Sequence, residues 1–229
     1  MKNILIIGAS SGIGSATAEI LSEDCVVYGT YNNHAIESTG NSNFHHLNVL
    51  DSNLDLTFLP EQIDGLVYCP GAISLKPFAR IKAEEFLTDY QLQVLGAIKV
   101  IQTVLPKLKL SEQASIVLFS TVAVQAGFNF HSIVSSSKGA IEGLTRALSA
   151  ELAPKIRVNC IAPSITDTPL AATLLNTPEK TEANVLRHPL KKIGKAVDIA
   201  HAVAFLLSKQ SSWMTGQILK IDGGISVIK

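Results

Sequence analysis

The sequence predicts an α/β fold, a doubly wound parallel β-sheet of about seven strands flanked by helices. Short apolar runs rich in β-branched residues alternate with stretches of helical periodicity along the chain. Those runs are continuously apolar, as strands covered on both faces require. The first of them ends in a glycine cluster that opens directly into a helix.

The first strand is "NILIIG", four apolar residues closed by glycine, and "GIGSATAEILS" follows it with helical spacing. "CVVYGT" supplies a second strand and "FHHLNV" a third. Residues 51–62 are few and include Pro60, so the crossover after the third strand has room for a turn or two of helix at most. "GLVYCPG", "SIVLFS", "IRVNCIAP" and "QILKID" complete the strand set. Helical periodicity returns over 84–105, over 132–152 and over 198–207, where Ile199, Ala202, Val203 and Leu206 recur at i, i+3, i+4 and i+7. Residues 163–195 are broken by Pro163, Pro169, Pro178 and Pro189. Such a late, partly helical excursion reads either as a lid over the site or as an ordinary surface segment. No repeat or linker divides the chain, so residues 1–229 are expected to form one domain.

Lys plus Arg and Asp plus Glu number 19 each, so no global field draws nucleic acid or an anionic membrane. No apolar run reaches bilayer length, and the expectation is a soluble cytoplasmic protein. Cys25, Cys69 and Cys160 lie in apolar, strand-like runs, which favours buried thiols over disulfides. His45 and His46 are adjacent on a strand and point to opposite faces, so no metal site is expected. His188 and His201 read as solvated surface.

In "GASSGIG", Gly8, Gly12 and Gly14 fall between the first strand and the first helix. Glycine lets the backbone turn sharply and approach a ligand, and the helix behind it aims free N–H groups at a phosphate. A dinucleotide pyrophosphate suits that geometry.

The spacing, three residues between the first two glycines and then one, resembles the glycine motif of the short-chain dehydrogenase/reductase family. Further matches follow in that family's order. "SSSKGAIEGLTRALSAEL" resembles its active-site helix, "IRVNCIAPSITDTPL" its sixth strand and following loop, "VDIAHAVAFLLS" the next helix and "TGQILKIDGG" its C-terminal strand. The resemblance implies a Rossmann-type fold, an NAD or NADP cofactor, reduction of carbonyls or oxidation of alcohols in a small-molecule substrate, and a homo-oligomer, dimer or tetramer. It places Ser10, Ser11, Gly12 and Ile13 at the phosphates, Asn48 and Val49 at the adenine, Lys138 at the ribose and Thr168 at the carboxamide, with Gly71 and Pro163 at the same site. "GTYNNH" after the second strand offers no carboxylate for a free ribose 2′-hydroxyl, which points to NADP, with NAD the alternative. Thr30, Tyr31, Asn32 and Asn33 are the candidates to meet a 2′-phosphate.

The resemblance fails at the chemistry. The family uses a tyrosine as general acid, a lysine four residues later, a serine well before the tyrosine and an asparagine on the preceding helix. Here Lys138 is kept, but Val134 stands at the tyrosine position, Thr121 at the serine position and Gln93 at the asparagine position. Hydride added to a carbonyl leaves an alkoxide that must be protonated, and valine has no proton to give. His131 lies seven residues before Lys138 on nearly the same helical face, and imidazole is a frequent general acid, which makes it a candidate. About 10 Å of helical rise separates the two, so His131 also reads as a helix-entry or substrate-loop residue. Ser135, Ser136 and Ser137 read as structural. Two functions stay open: an oxidoreductase with a non-standard acid, its catalytic candidates Lys138, Thr121, His131 and Gln93, or a dinucleotide-binding scaffold without chemistry.

Overall fold

The computed structural model describes residues 1–228. The strands are β1 (Lys2–Ile7), β2 (Cys25–Tyr31), β3 (Ser42–His46), β4 (Gly65–Tyr68), β5 (Ala114–Phe119), β6 (Ile156–Pro163), β7 (Thr166–Asp167), β8 (Gly194–Lys195) and β9 (Ile218–Ile221). Seven of them form one parallel sheet in the order β3-β2-β1-β4-β5-β6-β9, while β7 and β8 pair only with each other. The chain builds outward from β1 in one direction and then from β4 in the other, which opens a crevice at the carboxyl ends of the strands.

The helices are α1 (Gly12–Leu21), α2 (Ala83–Tyr90), α3 (Gly96–Lys109), α4 (Ala123–Ala126), α5 (Ser132–Leu152), α6 (Pro178–Arg187) and α7 (Ala196–Leu207). Alternation along the strands divides the core. Ile4, Ile6, Val67 and Val117 pack on one face with Ala18 of α1 and Val203 and Leu206 of α7. Leu5, Ile7, Leu66 and Ile116 pack on the other with Val100 and Val104 of α3 and Ile141 of α5.

The third strand runs over Ser42–His46 rather than 44–49. Asn48 ends it by turning the chain, its Oδ1 accepting the Leu50 N–H at 3.1 Å. The helix expected over 84–105 is a longer helical run, α2 and α3 joined by a π-helical turn at Gln91–Leu95. Tyr68 accounts for that turn, because its hydroxyl donates to the Leu92 carbonyl at 2.6 Å. Gly96 leaves room for it, since a Cβ there would stand 2.3 Å from Tyr68 Oη. Helix α7 starts two residues before the periodicity begins because the Asp198 carboxylate accepts the Lys195 N–H at 2.8 Å. Residues 51–62 form turns without a helix. The late excursion is pinned at its base by β7 pairing with β8, and α6 within it is capped by Thr177, with Pro178 at its first position.

All three cysteines are free. His45 stacks on Phe58, with ring centroids 3.9 Å apart, while His46 meets Tyr31 edge-on. His201 is exposed, whereas His188, expected at the surface, is 3% exposed. Among the described residues no helix is long and apolar enough to cross a membrane, and no cluster of three or more His, Cys, Asp or Glu is set to hold a metal.

Candidate active site

The glycine turn at the end of β1 has a steric reason. A Cβ on Gly14 would stand 2.1 Å from the Gly8 carbonyl oxygen, so only glycine lets α1 start this close to the strand. Gly12 has φ +54° and lies against Thr168, where a Cβ would stand 3.2 Å from the threonine Cβ. The N-cap Ser11 makes no side-chain capping bond, and the first turn of α1 carries no carboxylate. With Ser10 half-buried and Ser11 exposed beside it, this helix end is suited to an anion.

Thr30 is placed under the turn rather than in front of it. It is 1% exposed, its Oγ1 accepts the Gly8 N–H at 3.1 Å, and its carbonyl accepts the Ala9 N–H at 2.7 Å. Its hydroxyl therefore braces the glycine turn. Half-buried Tyr31 and exposed Asn32 and Asn33 are the open groups at this end of β2. The Asn48 amide is engaged in its own turn, Nδ2 donating to Asp51 at 2.8 Å. Val49 is buried in the core.

Beside the turn lies a cleft of about 440 Å³ walled by the ends of β4, β5 and β6, by α5 and by the late excursion. It brings together Ile13, Gly71, Gln93, Thr121, His131, Val134, Lys138, Pro163 and Thr168. Gly8, Ser10, Ser11, Gly12, Gly14, Thr30, Tyr31, Asn32, Asn48 and Val49 are outside its walls, at the ends of β1, β2 and β3.

Lys138 projects from α5 one turn after Val134 and is 8% exposed. Burial pulls its ammonium down from the ordinary 10.5 to about 8, with Cys160, Asp89 and Cys69 opposing the shift. The same burial pushes the Cys69 and Cys160 thiols up to about 12. Gln93 is fully buried, and its Nε2 donates to both Asp89 carboxylate oxygens at 2.8 and 2.7 Å. Its Oε1 is buried without a partner. A Cβ on Gly71 would stand 3.4 Å from that oxygen and 3.8 Å from Lys138 Nζ. An unsatisfied acceptor and a three-donor ammonium around a gap kept open by glycine suit a ligand rich in hydroxyls, such as a ribose.

Thr121 accepts the Ala123 N–H at 3.3 Å and so starts α4. His131 is the N-cap of α5 and precedes the helix proper. Its Nδ1 lies 2.7 Å from the Asn129 carbonyl, so the hydrogen is on Nδ1 and the lone pair of the neutral ring is on Nε2. Phe128 packs edge-on to that ring, and the Arg187 guanidinium lies 5.3 Å from the Phe128 centroid. Tyr68 does not supply the acid, because its hydroxyl is bonded to Leu92, burial raises it above the ordinary phenol, and it does not line the cleft.

The structure also sets Ser164, Asp89 and Arg187 at or behind this cleft, none of which the sequence singled out, together with His188, which the sequence placed at the surface. Ser164 Oγ lies 2.8 Å from His188 Nε2. The i, i+4 spacing of Asp89 and Gln93 was a readable signal for their pairing.

A helix end suited to an anion, beside a cleft at the switch point of a parallel sheet, defines the class, a nucleotide-binding α/β fold. The chain belongs to the short-chain dehydrogenase/reductase family. Residues 8–226 match the family model described as enoyl-(acyl carrier protein) reductase. The 3-oxoacyl acyl-carrier-protein reductase FabG of Thermotoga maritima is 31% identical, over 99% of this chain and 98% of that protein. A tropinone reductase homolog of Arabidopsis thaliana is 39% identical, over 66% of this chain and 58% of that protein. The ligand-free aldohexose dehydrogenase of Thermoplasma acidophilum superposes with a TM-score of 0.93 at 27% identity, covering 100% of this chain and 95% of that one. ElxO with NADP bound superposes with a TM-score of 0.89 at 27% identity, covering 98% of each chain.

Proposed function

We propose that the chain is an NADP(H)-dependent oxidoreductase that moves hydride between the dinucleotide and a small carbonyl, alcohol or imine. The observation that carries this reading is the buried, unpartnered Gln93 Oε1 facing the same Gly71 gap as the Lys138 ammonium, both on the cleft. Lys138 and Gln93 would hold the ribose, Ser10, Ser11, Gly12 and Ile13 the phosphates, and Thr168 the carboxamide beside Pro163. The cofactor supplies the hydride. At the end of β2 the open groups Tyr31, Asn32 and Asn33 include no carboxylate, which favours a 2′-phosphate. FabG and the tropinone reductase homolog carry the names of reductases and ElxO holds NADP, in line with the same assignment.

The chain's own residues then act on the substrate. Thr121 orients the reacting oxygen, His131 meets the substrate at the mouth of the cleft, and residues 163–195 close over it as a lid. Val134 stands where the family carries its tyrosine and offers an apolar wall. In the test, NADPH or NADH is mixed with panels of aldehydes, ketones and imines and nucleotide oxidation is followed by absorbance. Turnover with at least one class and a preference for NADPH are expected. Tight nucleotide binding with no turnover on any panel would return the chain to a binding role.

A further inference from the structure

We propose that Ser164 and His188 form the proton relay of this enzyme, Ser164 acting on the substrate oxygen and His188 holding the proton behind it. The proposal rests on the oxidoreductase reading above. Ser164 follows Pro163 at the end of β6, and the Pro163 carbonyl accepts the Val122 N–H at 3.2 Å. Ser164 and Thr121 therefore stand at adjoining strand ends, on the same cleft as Lys138. The Ser164 N–H donates to the Ile221 carbonyl at 3.2 Å, which fixes its backbone.

His188 is held from the far side. Its Nδ1 lies 2.6 Å from the Asn184 carbonyl and its Nε2 lies 2.8 Å from Ser164 Oγ. A carbonyl cannot donate, so Nδ1 carries the hydrogen, and the neutral ring presents its lone pair to the Ser164 hydroxyl. Gly223 backs the ring, where a side chain would begin 3.4 Å from His188 Cδ2. A hydroxyl on the cleft, an imidazole behind it and a fixed acceptor orienting that imidazole are the parts of a proton-transfer chain. Val134 donates nothing and Tyr68 is bonded elsewhere, whereas Ser164 brings to the cleft a hydroxyl with an imidazole nitrogen already 2.8 Å from it.

In the direction of reduction His188 starts as the imidazolium, donating from Nδ1 to Asn184 and from Nε2 to Ser164 Oγ. As the dinucleotide's hydride reaches carbon, the Ser164 O–H bond breaks toward the forming alkoxide and the Nε2–H bond breaks toward Ser164 Oγ. The products are the alcohol, an intact serine and a neutral His188, which solvent reprotonates. Oxidation runs the same transfers backward.

The competing explanation is mechanical, a bond that ties the end of α6 to β6. His188→Gln separates the two, because the glutamine carbonyl accepts the Ser164 hydroxyl but cannot carry the proton. His188→Gln and Ser164→Ala are each expected to lower kcat by about 100-fold or more, with the thermal midpoint and the NADPH dissociation constant close to wild type. His131→Ala is expected to change KM more than kcat. Nitrogen NMR of the nucleotide-free protein should show His188 as the Nδ1–H tautomer, with its Nε2 resonance moving in Ser164→Ala. A His188→Gln enzyme with wild-type kcat, or a ring protonated on Nε2 in its neutral form, overturns the relay. A wild-type protein silent on every substrate panel would instead overturn the oxidoreductase reading, and the NMR result would stand apart from it.

Discussion

Lys138→Met is expected to stabilise the nucleotide-free protein while removing its ability to hold the ribose. Lys138 is 8% exposed and burial has pulled its ammonium from 10.5 to about 8. At about 1.4 kcal/mol per pH unit, the gap between those values corresponds to a cost on the order of 3 kcal/mol for keeping the charge in place at neutral pH. Methionine fills a similar volume without the charge. In a chain of this length each kcal/mol is about 2–4 °C of thermal midpoint, so a gain of several degrees is expected at pH 7. The pH dependence gives the sign. Below about pH 8 the native and unfolded chains both carry the proton and the whole cost is present. Between about 8 and 10.5 the native protein releases its proton while the unfolded chain keeps it, so wild-type stability rises with pH and the advantage of the variant closes. Urea unfolding of both proteins across that window reads the difference. Saturating NADPH should reverse the order, because wild type gains binding free energy that the variant lacks. A variant no more stable than wild type at pH 7, or an advantage constant up to pH 10 and beyond, would refute a buried and uncompensated ammonium.

Two further changes probe the supports of the site. Tyr68→Phe removes the hydroxyl that donates to the Leu92 carbonyl at the π turn, which should cost about 1 kcal/mol in urea unfolding and lower kcat by displacing Gln93; an unchanged unfolding midpoint would show that the hydroxyl does not hold the turn. Thr177→Ala removes the side chain that accepts the Lys180 N–H at 3.3 Å. It should weaken α6 by about 1 kcal/mol, seen as faster hydrogen exchange over residues 178–187 and a KM that rises more than kcat falls, and unchanged exchange would place the cap outside the control of the excursion.

The fold was legible because its signals are local. Four consecutive apolar residues before Gly8, the 3.6-residue recurrence in α7 and the near-continuous apolar runs of β4 to β6 each specify an element without reference to the rest of the chain. The elements that shifted did so where a single contact intervened. Asn48 turned the end of β3, and Tyr68, reaching across 24 residues to Leu92, put a π turn into what periodicity reads as one helix.

The candidate site was readable only where the family's spacing carries over, and of those positions Lys138, Thr121 and Gln93 line one cleft. His188 shows why the rest was not. By composition it sits at the end of the most polar helix of the chain, among Arg187, Lys191 and Lys192, and that context reads as surface. Its burial depends on the excursion folding back so that residue 188 meets residue 164, a contact fixed by the β7–β8 pairing and by the Asn184 carbonyl rather than by any periodicity. Val134 has no proton to give on the cleft. The imidazole facing Ser164 comes from the end of α6, so a search confined to α5 could reach His131 but not this pair.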